Sequence, residues 1–421
     1  MSRRARVVRR LPPVLRLRGY ALFWVANLLR TLPTQMIAVA VGWQVYAIHQ
    51  RPFDLGLVGL AEFLPLPLLA LPAGQLADRI SRRLVFAISI GLSGVVAALL
   101  LVVTLGGAQR LWPFLLLAVG SGAASALGNP ASRALPPELV RANLLASAMA
   151  VRSVASQIGV VGGPAIGGLI FALRPELVYV VAVCLYGVAL LCALALHRLG
   201  GWIPQPGQAP GLDSLLGGIR FLRRSRVVLG AIVLDLFAVL FGGAVALLPV
   251  FARTILHTGP VGLGVLRSAP AVGALVAGVL LTRRPLARNA GPMLLGVVGL
   301  FGASIVVFGF SRVLPLSLAA LAVSGFADMV SVTIRSTTVA LATPDGLRGR
   351  VNAVESVFIS ASNEFGAFES GAAAALVGTV PAVVAGGALT VALALVWPKV
   401  FPALSRLDRL EQLRPEPVLT S

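Results

Sequence analysis

Twelve mostly apolar stretches follow one another along the chain, at about 20–47, 55–76, 84–105, 111–135, 143–171, 177–196, 227–252, 261–282, 291–310, 314–341, 350–377 and 382–401. Each is long enough to cross the hydrocarbon core of a bilayer as a helix. Lipid offers the backbone no hydrogen-bond partner, so runs of this length must pair their own amides and carbonyls, which a helix does. Of the 421 residues, 57% are hydrophobic and only 12% charged, against about a quarter charged in soluble domains. Mean hydropathy is +0.92. This composition excludes a soluble enzyme, a disordered chain and a collagen-like fibre. The 45 Gly and 28 Pro suit packed, locally broken membrane helices.

A net charge of +20 raises nucleic acid as a partner, but the positions of the cations argue against it. With both termini on one side, 26 of the 35 basic residues fall on that side and five on the other (Arg51, Arg110, Arg174, Arg253, Arg312). Four lie deep inside spans, away from their ends: Arg30, Arg152, Arg267 and Arg335. The positive-inside rule makes the rich side cytoplasmic and predicts a multi-pass protein of the bacterial cytoplasmic (inner) membrane with both termini inside. The tail MSRRARVVRRLPPVLRLR admits a twin-arginine export reading. The apolar stretch after it is too long for a signal h-region and lacks a small-residue cleavage site, so a cytoplasmic tail touching anionic lipid is preferred. Cys184 and Cys192 share one span, and His49, His197 and His257 sit near span ends without companions. No disulfide framework, metal site or other cofactor is expected.

The chain matches itself at a shift of 205 to 207 residues. PELVRANLLASAMAVRS from Pro137 lies over PDGLRGRVNAVESVFIS from Pro344, and LGLVGL from Leu55 over VGLGVL from Val261. The expected division is a tail (1–19), a six-helix bundle (20–196), a cytoplasmic linker with an amphipathic helix (197–226), a second bundle (227–401) and a tail (402–421). Six spans per half preserve orientation, so the repeat is parallel, an architecture that places a substrate site near midplane between the halves. The linker string LLGGIRFLRRSR looks like a basic amphipathic helix, with a solvated linker helix preferred to one lying on the membrane surface.

The first cytoplasmic loop reads GQLADRISRR, with Gly74, Asp78, Arg79, Arg82 and Arg83. This resembles the loop signature of the major facilitator superfamily, with Ser81 in place of its second glycine. The resemblance implies an all-α membrane fold of twelve helices in two parallel-repeat bundles, and a cytoplasmic latch in which Asp78 meets the N-terminus of the eleventh helix near Gly349 to Asn352. A plainer role for these arginines is to set topology. In the fifth span GVVGGPAIGG supplies Gly159, Gly163, Pro164, Gly167 and Gly168, similar to the antiporter signature of the superfamily's exporters. Glycines four apart make a smooth groove for a partner helix, and Pro164 removes one backbone hydrogen bond. The fourth-span signature is incomplete, with Leu116 where the family has an arginine. Segments 234–253 and 348–371 narrow the resemblance to the enterobactin-exporter and macrolide-efflux-like branch, of the transmembrane secretion effector type.

An ionisable residue at a helix centre costs on the order of 2.5–3.5 kcal/mol by insertion scales, so each one needs a reason. Asp235 in span seven and Arg30 in span one occupy repeat-equivalent places and are expected to pair. Span ten carries Ser324, Asp328, Ser331, Arg335 and Thr338 at spacings that share one helical face. Span four offers Ser121, Ser125, Asn129 and Ser132, and span one Asn27, Arg30 and Thr34. These stripes predict the polar wall of a substrate cavity, although interhelical hydrogen bonding accounts for part of the hydroxyls. Asp235, Asp328, Glu364 and Glu369 are the candidate proton carriers, the last two by the branch resemblance. Glu62 and Arg267 read as a gate or structural pair. Arg152 either neutralises a span-eleven acid or meets an anionic substrate.

The lone lysine, Lys399, lies in WPKV, so no phosphate-binding loop is present and no nucleotide is expected. The reading that follows is a secondary transporter, working as a monomer on a small-molecule substrate and protons, and exporting an amphipathic compound such as a siderophore or macrolide-like molecule by alternating access. An importer on the same scaffold and a non-transport membrane assembly protein are the alternatives. No Ser/His/Asp arrangement or His-Glu-x-x-His supports an enzyme.

Overall fold

The computed structural model describes residues 12–69, 80–107, 109–200, 217, 220–283, 288–409 and 413, excluding the side chains of 345, 352, 353 and 356. Among the described residues there is no strand. The long helices are α1 (Arg18–His49), α2 (Pro52–Phe63), α3 (Arg82–Leu105), α4 (Leu111–Leu139), α5 (Leu145–Leu173), α6 (Pro175–Arg198), α7 (Arg226–Phe241), α8 (Gly259–Arg283), α9 (Ala290–Phe310), α10 (Leu314–Ala342), α11 (Asp345–Val377) and α12 (Thr379–Val400). Matched helices of the two halves start at Arg18 and Arg226, Pro52 and Gly259, Arg82 and Ala290, Leu111 and Leu314, Leu145 and Asp345, Pro175 and Thr379. These displacements lie close to the repeat read from the sequence.

Ten helical segments among the described residues are long and apolar enough to cross a membrane. The other two long helices, α1 and α11, are 32 and 33 residues long. Their apolar windows are interrupted by Asn27, Arg30 and Gln35 in α1 and by Glu355, Glu364 and Glu369 in α11. Large apolar side chains such as Leu99, Leu173, Leu191 and Leu395 are exposed on the outer faces. In water so many would form a patch no monomer tolerates; in lipid they cost nothing.

Two expected spans are broken. The span expected at 55–76 is helical as Pro52–Phe63, turns at Leu64 and resumes over 65–69. Pro65 donates no amide hydrogen and disfavours helical geometry in the residue before it. The span expected at 227–252 ends at Gly242 and continues as a 3-10 turn (Ala244–Leu247) and a wide π turn (Phe251–Ile255). The Gly242–Gly243 pair lets neighbours close in. A Cβ at Gly242 would lie 2.3 Å from the Phe301 ring, and one at Gly243 would lie 2.9 Å from the Gly366 carbonyl.

The residues fall into two compact units, one of Met1–Gln44 with Leu64–Ala209 and one of Val45–Phe63 with Pro210–Ser421. The first unit therefore holds most of α1 with α3 to α6, and the second holds α2 with α7 to α12. In the second unit α2 packs along α11. Gly56 and Gly371 bring the backbones together, a Cβ at Gly371 falling 2.8 Å from Gly56 Cα. Phe53 meets Phe368 and Phe63 meets Phe365, with ring centroids 5.9 and 4.7 Å apart. From the linker, Phe221 and Leu222 are buried with Val228, Ile232, Val339 and Val354, so these apolar side chains pack on protein rather than on a membrane surface.

In the first unit the glycine stripe of α5 seats α1. A Cβ at Gly159 would come within 2.7 Å of Thr31, at Gly163 within 2.6 Å of Gln35, and at Gly167 within 2.7 Å of Met36. Gly168 and Pro164 are buried in the same helix, which runs unbroken through the proline. Gly163→Val is expected to destabilise the protein by about 1–3 kcal/mol through overpacking. Gly162→Val, whose nearest neighbours lie 3.8 Å away or more, is the control. Equal unfolding midpoints in detergent for the two variants would show that the stripe makes no tight contact.

Candidate functional site

The second unit gathers most of its intramembrane charges into two clusters, each around one arginine. In the first cluster Arg335 of α10 donates from Nη1 to Asp235 Oδ2 of α7, and its Nε lies 3.8 Å from Glu355 Oε1 of α11. Asp328, seven residues earlier on the same face of α10, interacts electrostatically with both Asp235 and Arg335. Asp235 is 6% exposed and Arg335 3%. Beside them lies a cavity of about 10 Å³, space for about one water, lined by Asp235, Asp328, Ser331, Ala327, Val297 and Phe301. Arg335 thus replaces Arg30 as the partner expected for Asp235. The reason is local, because α7 and α10 pack together within one unit.

The second cluster joins α2, α8 and α11. Arg267 interacts electrostatically with both Glu62 and Glu364, and the two glutamates with each other. The close approach of α2 to α11 builds it: a Cβ on Gly59 would lie 2.9 Å from Ala367 Cβ and 3.6 Å from Glu364 Oε2, and Glu62 follows Gly59 by one turn. The expected Glu62–Arg267 pair is therefore a triad. Sequence reading missed Glu364 as its third member and Glu355 as a partner of Arg335. The small-residue spacing Gly56, Gly59 against Ala367, Gly371 is the signal that points to the α2–α11 contact. Glu369 joins neither cluster and bonds Ser370 beside it.

The first unit holds a different arrangement. Arg30 Nη2 donates to Asn129 Oδ1 of α4 at 3.1 Å, and its guanidinium carbon lies 5.9 Å from the centre of the Phe86 ring, within cation–π range. Gly128 leaves the space Arg30 occupies, since a Cβ there would lie 2.9 Å from Arg30 Nη1. Thr34 donates to the Arg30 carbonyl at 2.8 Å and so accepts from Tyr186 Oη, also at 2.8 Å. Asn27, expected on a cavity wall, is 1% exposed. Its Nδ2 donates to Ser156 at 3.3 Å and its Oδ1 accepts from Ser132 at 2.8 Å, which makes it a tie between α1, α4 and α5. Ser121 and Ser125 are half-buried on α4. On α10, Ser324 and Thr338 bond carbonyls of their own helix.

Of the loop motif, Gly74, Asp78 and Arg79 lie outside the described residues. Arg82 pairs with Glu138 at 3.0 Å. Arg83 donates to the carbonyls of Leu196 at 3.4 Å and of Gly200, at the C-terminal end of α6, where a cation meets the negative end of the helix dipole. Ser81 caps α3 through its hydroxyl, which accepts from Leu84 N at 3.3 Å. The eleventh helix begins at Asp345, a turn earlier than expected.

Twelve long helices whose order repeats along the chain, two of them carrying an arginine beside carboxylates at membrane depth, fit a multi-pass membrane transporter of the major facilitator fold. Solved structures agree on the fold. A bacterial homologue of the iron transporter ferroportin in its inward-facing state superposes with a TM-score of 0.69 at 17% identity, covering 94% of this chain and 100% of that one. A bacterial homologue of the human lysosomal transporter Spinster, inward-facing and occupied, gives 0.70 at 14% identity over 97% of this chain and 100% of that one. Residues 11–419 match the model of the transmembrane secretion effector family, and the chain belongs to that family, whose members are transporters and not enzymes. It is 30% identical over 336 residues to the enterobactin exporter EntS of Escherichia coli O1:K1 / APEC, covering 78% of this chain and 79% of that protein. The enterobactin exporter EntS of Shigella dysenteriae serotype 1 (strain Sd197) is 29% identical over the same shares.

Proposed function

We propose that this protein is a proton-coupled exporter of an amphipathic small molecule, of siderophore or macrolide-like type, working as a monomer by alternating access in the bacterial inner membrane with both termini in the cytoplasm. The observation that carries the proton part is the Glu62–Arg267–Glu364 triad. One guanidinium neutralises one carboxylate, and at membrane depth an uncompensated charge is costly. The remaining carboxylate is neutral only while it holds a proton, so a rearrangement that moves Arg267 from one glutamate to the other takes up or releases that proton. Asp235, Asp328 and Glu355 around Arg335 repeat the surplus of acids over bases. The similarity to enterobactin exporters and the Gly-Pro stripe of α5 support export over import.

Everted membrane vesicles energised by a proton gradient test this reading. Accumulation of a siderophore or macrolide substrate that collapses on adding a protonophore is expected. Accumulation that survives the protonophore removes proton coupling, and no accumulation in sealed, energised vesicles removes export.

A further inference from the structure

The in-span charges differ in kind between the two units. Within residues 1–44 and 64–209 the acids are Asp78, Glu138 and Glu176. Asp78 lies outside the described residues and the two glutamates stand in the terminal turns of α4 and α6, so among the described residues no acid lies deep in the spans that carry Arg30 and Arg152. The spans of the second unit carry Glu62, Asp235, Asp328, Glu355, Glu364 and Glu369 beside Arg267 and Arg335.

Arg30 interacts electrostatically with Arg152 as a like charge, and Arg152 in turn with Arg133 of α4. The packing holds them there. Trp24 Nε1 of α1 donates to the Val151 carbonyl of α5 at 2.9 Å, next to Arg152, and the glycine stripe locks the same two helices together further along. Nε of each arginine is buried without a protein hydrogen-bond partner, although a guanidinium carries five donors. The polar neighbours of Arg30 are Asn129 and, through Thr34, Tyr186, which orient it without neutralising it. Asn129 and Thr34 are exposed and Arg30 is half-buried between them. Two cations held together at membrane depth, with donors left over, are stabilised by an anion, and a guanidinium offers a carboxylate or phosphate two parallel hydrogen bonds.

We infer that Arg30 and Arg152 form a seat for the anionic head of the transported molecule, so that the substrate is an amphipathic anion. This rests on the export reading for the word "transported", whereas the seat itself is tested by binding alone. The probe is dansylglycine, an amphipathic carboxylate, against its uncharged methyl ester, on full-length protein in phosphatidylcholine nanodiscs. The wild type is expected to bind the acid more tightly than the ester. Arg30→Gln and Arg152→Gln are each expected to weaken the acid by about tenfold and leave the ester unchanged, with Arg30→Lys in between because it keeps the charge and loses the fork.

Equal affinity of the wild type for acid and ester overturns the proposal, as does equal loss of both in the variants. A measurement without mutation guards against misfolded variants: octanoate displaces dansylglycine from the wild type and octanol does not. Displacement by both overturns the seat. Loss of acid binding when phosphatidylglycerol is added to the discs assigns the arginines to lipid headgroups and overturns it too. Binding with charge discrimination, together with no accumulation in energised everted vesicles, leaves the seat standing while the export reading falls.

Discussion

Arg335→Gln is expected to cost this protein a large part of its folded stability. Its side chain is 4% exposed and bonded to Asp235, with Glu355 3.8 Å from Nε and Asp328 in electrostatic range. Removing one partner from a buried ion pair typically costs about 3–5 kcal/mol, because the other charge is left uncompensated, and whole domains are stable by only about 5–15 kcal/mol. A sharp fall in monodisperse protein after detergent extraction, with a lowered unfolding midpoint, is the expected outcome. The double variant Asp235→Asn, Arg335→Gln is expected to recover part of the loss, since the pair leaves together. A single variant as stable as the wild type contradicts the pair, and a double variant whose loss equals the sum of the two singles shows that the residues do not couple.

Glu364→Gln is expected to abolish most proton-driven transport while leaving the protein folded. The amide has the volume of the acid and keeps an oxygen in reach of the Arg267 field, but it neither takes up nor releases a proton at neutral pH. Loss of proton-driven accumulation by a factor on the order of ten or more follows, within the usual range for coupling between two ligands, and the rate becomes insensitive to pH. Glu369→Gln is the companion. It lies on the same helix but bonds Ser370 rather than Arg267, so transport is expected to persist. The reverse pattern, with Glu369 essential and Glu364 dispensable, would move the proton site out of the triad.

Most of the fold was legible because lipid leaves a chain few options. Span positions follow from apolar length, the repeat from self-similarity, and the glycine groove of α5 from its four-residue period. Where the reading went astray, a short-range rule met a long-range contact. The Arg30–Asp235 pairing used repeat equivalence, but an ion pair obeys distance, and the helix packed beside α7 delivers Arg335. Asn27 was placed on a cavity wall by its stripe, although two hydroxyls from α4 and α5 claim both ends of its amide. The break in α7 was written in Gly242–Gly243, and only the nearness of Phe301 and Gly366 shows why those glycines stand there.

By itself the sequence determined that this chain is a helical membrane protein, how many times its apolar pattern recurs, and which side chains at membrane depth are too costly to be idle. The tertiary structure decided their company: two glutamates on Arg267, three acids about Arg335, and, among the described residues of the first unit, fellow arginines rather than acids for Arg30 and Arg152. The physical reason is range. Hydrophobic burial and backbone hydrogen bonding are satisfied within one helix and can be read along it, whereas a charge in a medium of low dielectric is stabilised only by what stands a few ångströms away, on a helix that sequence order does not name.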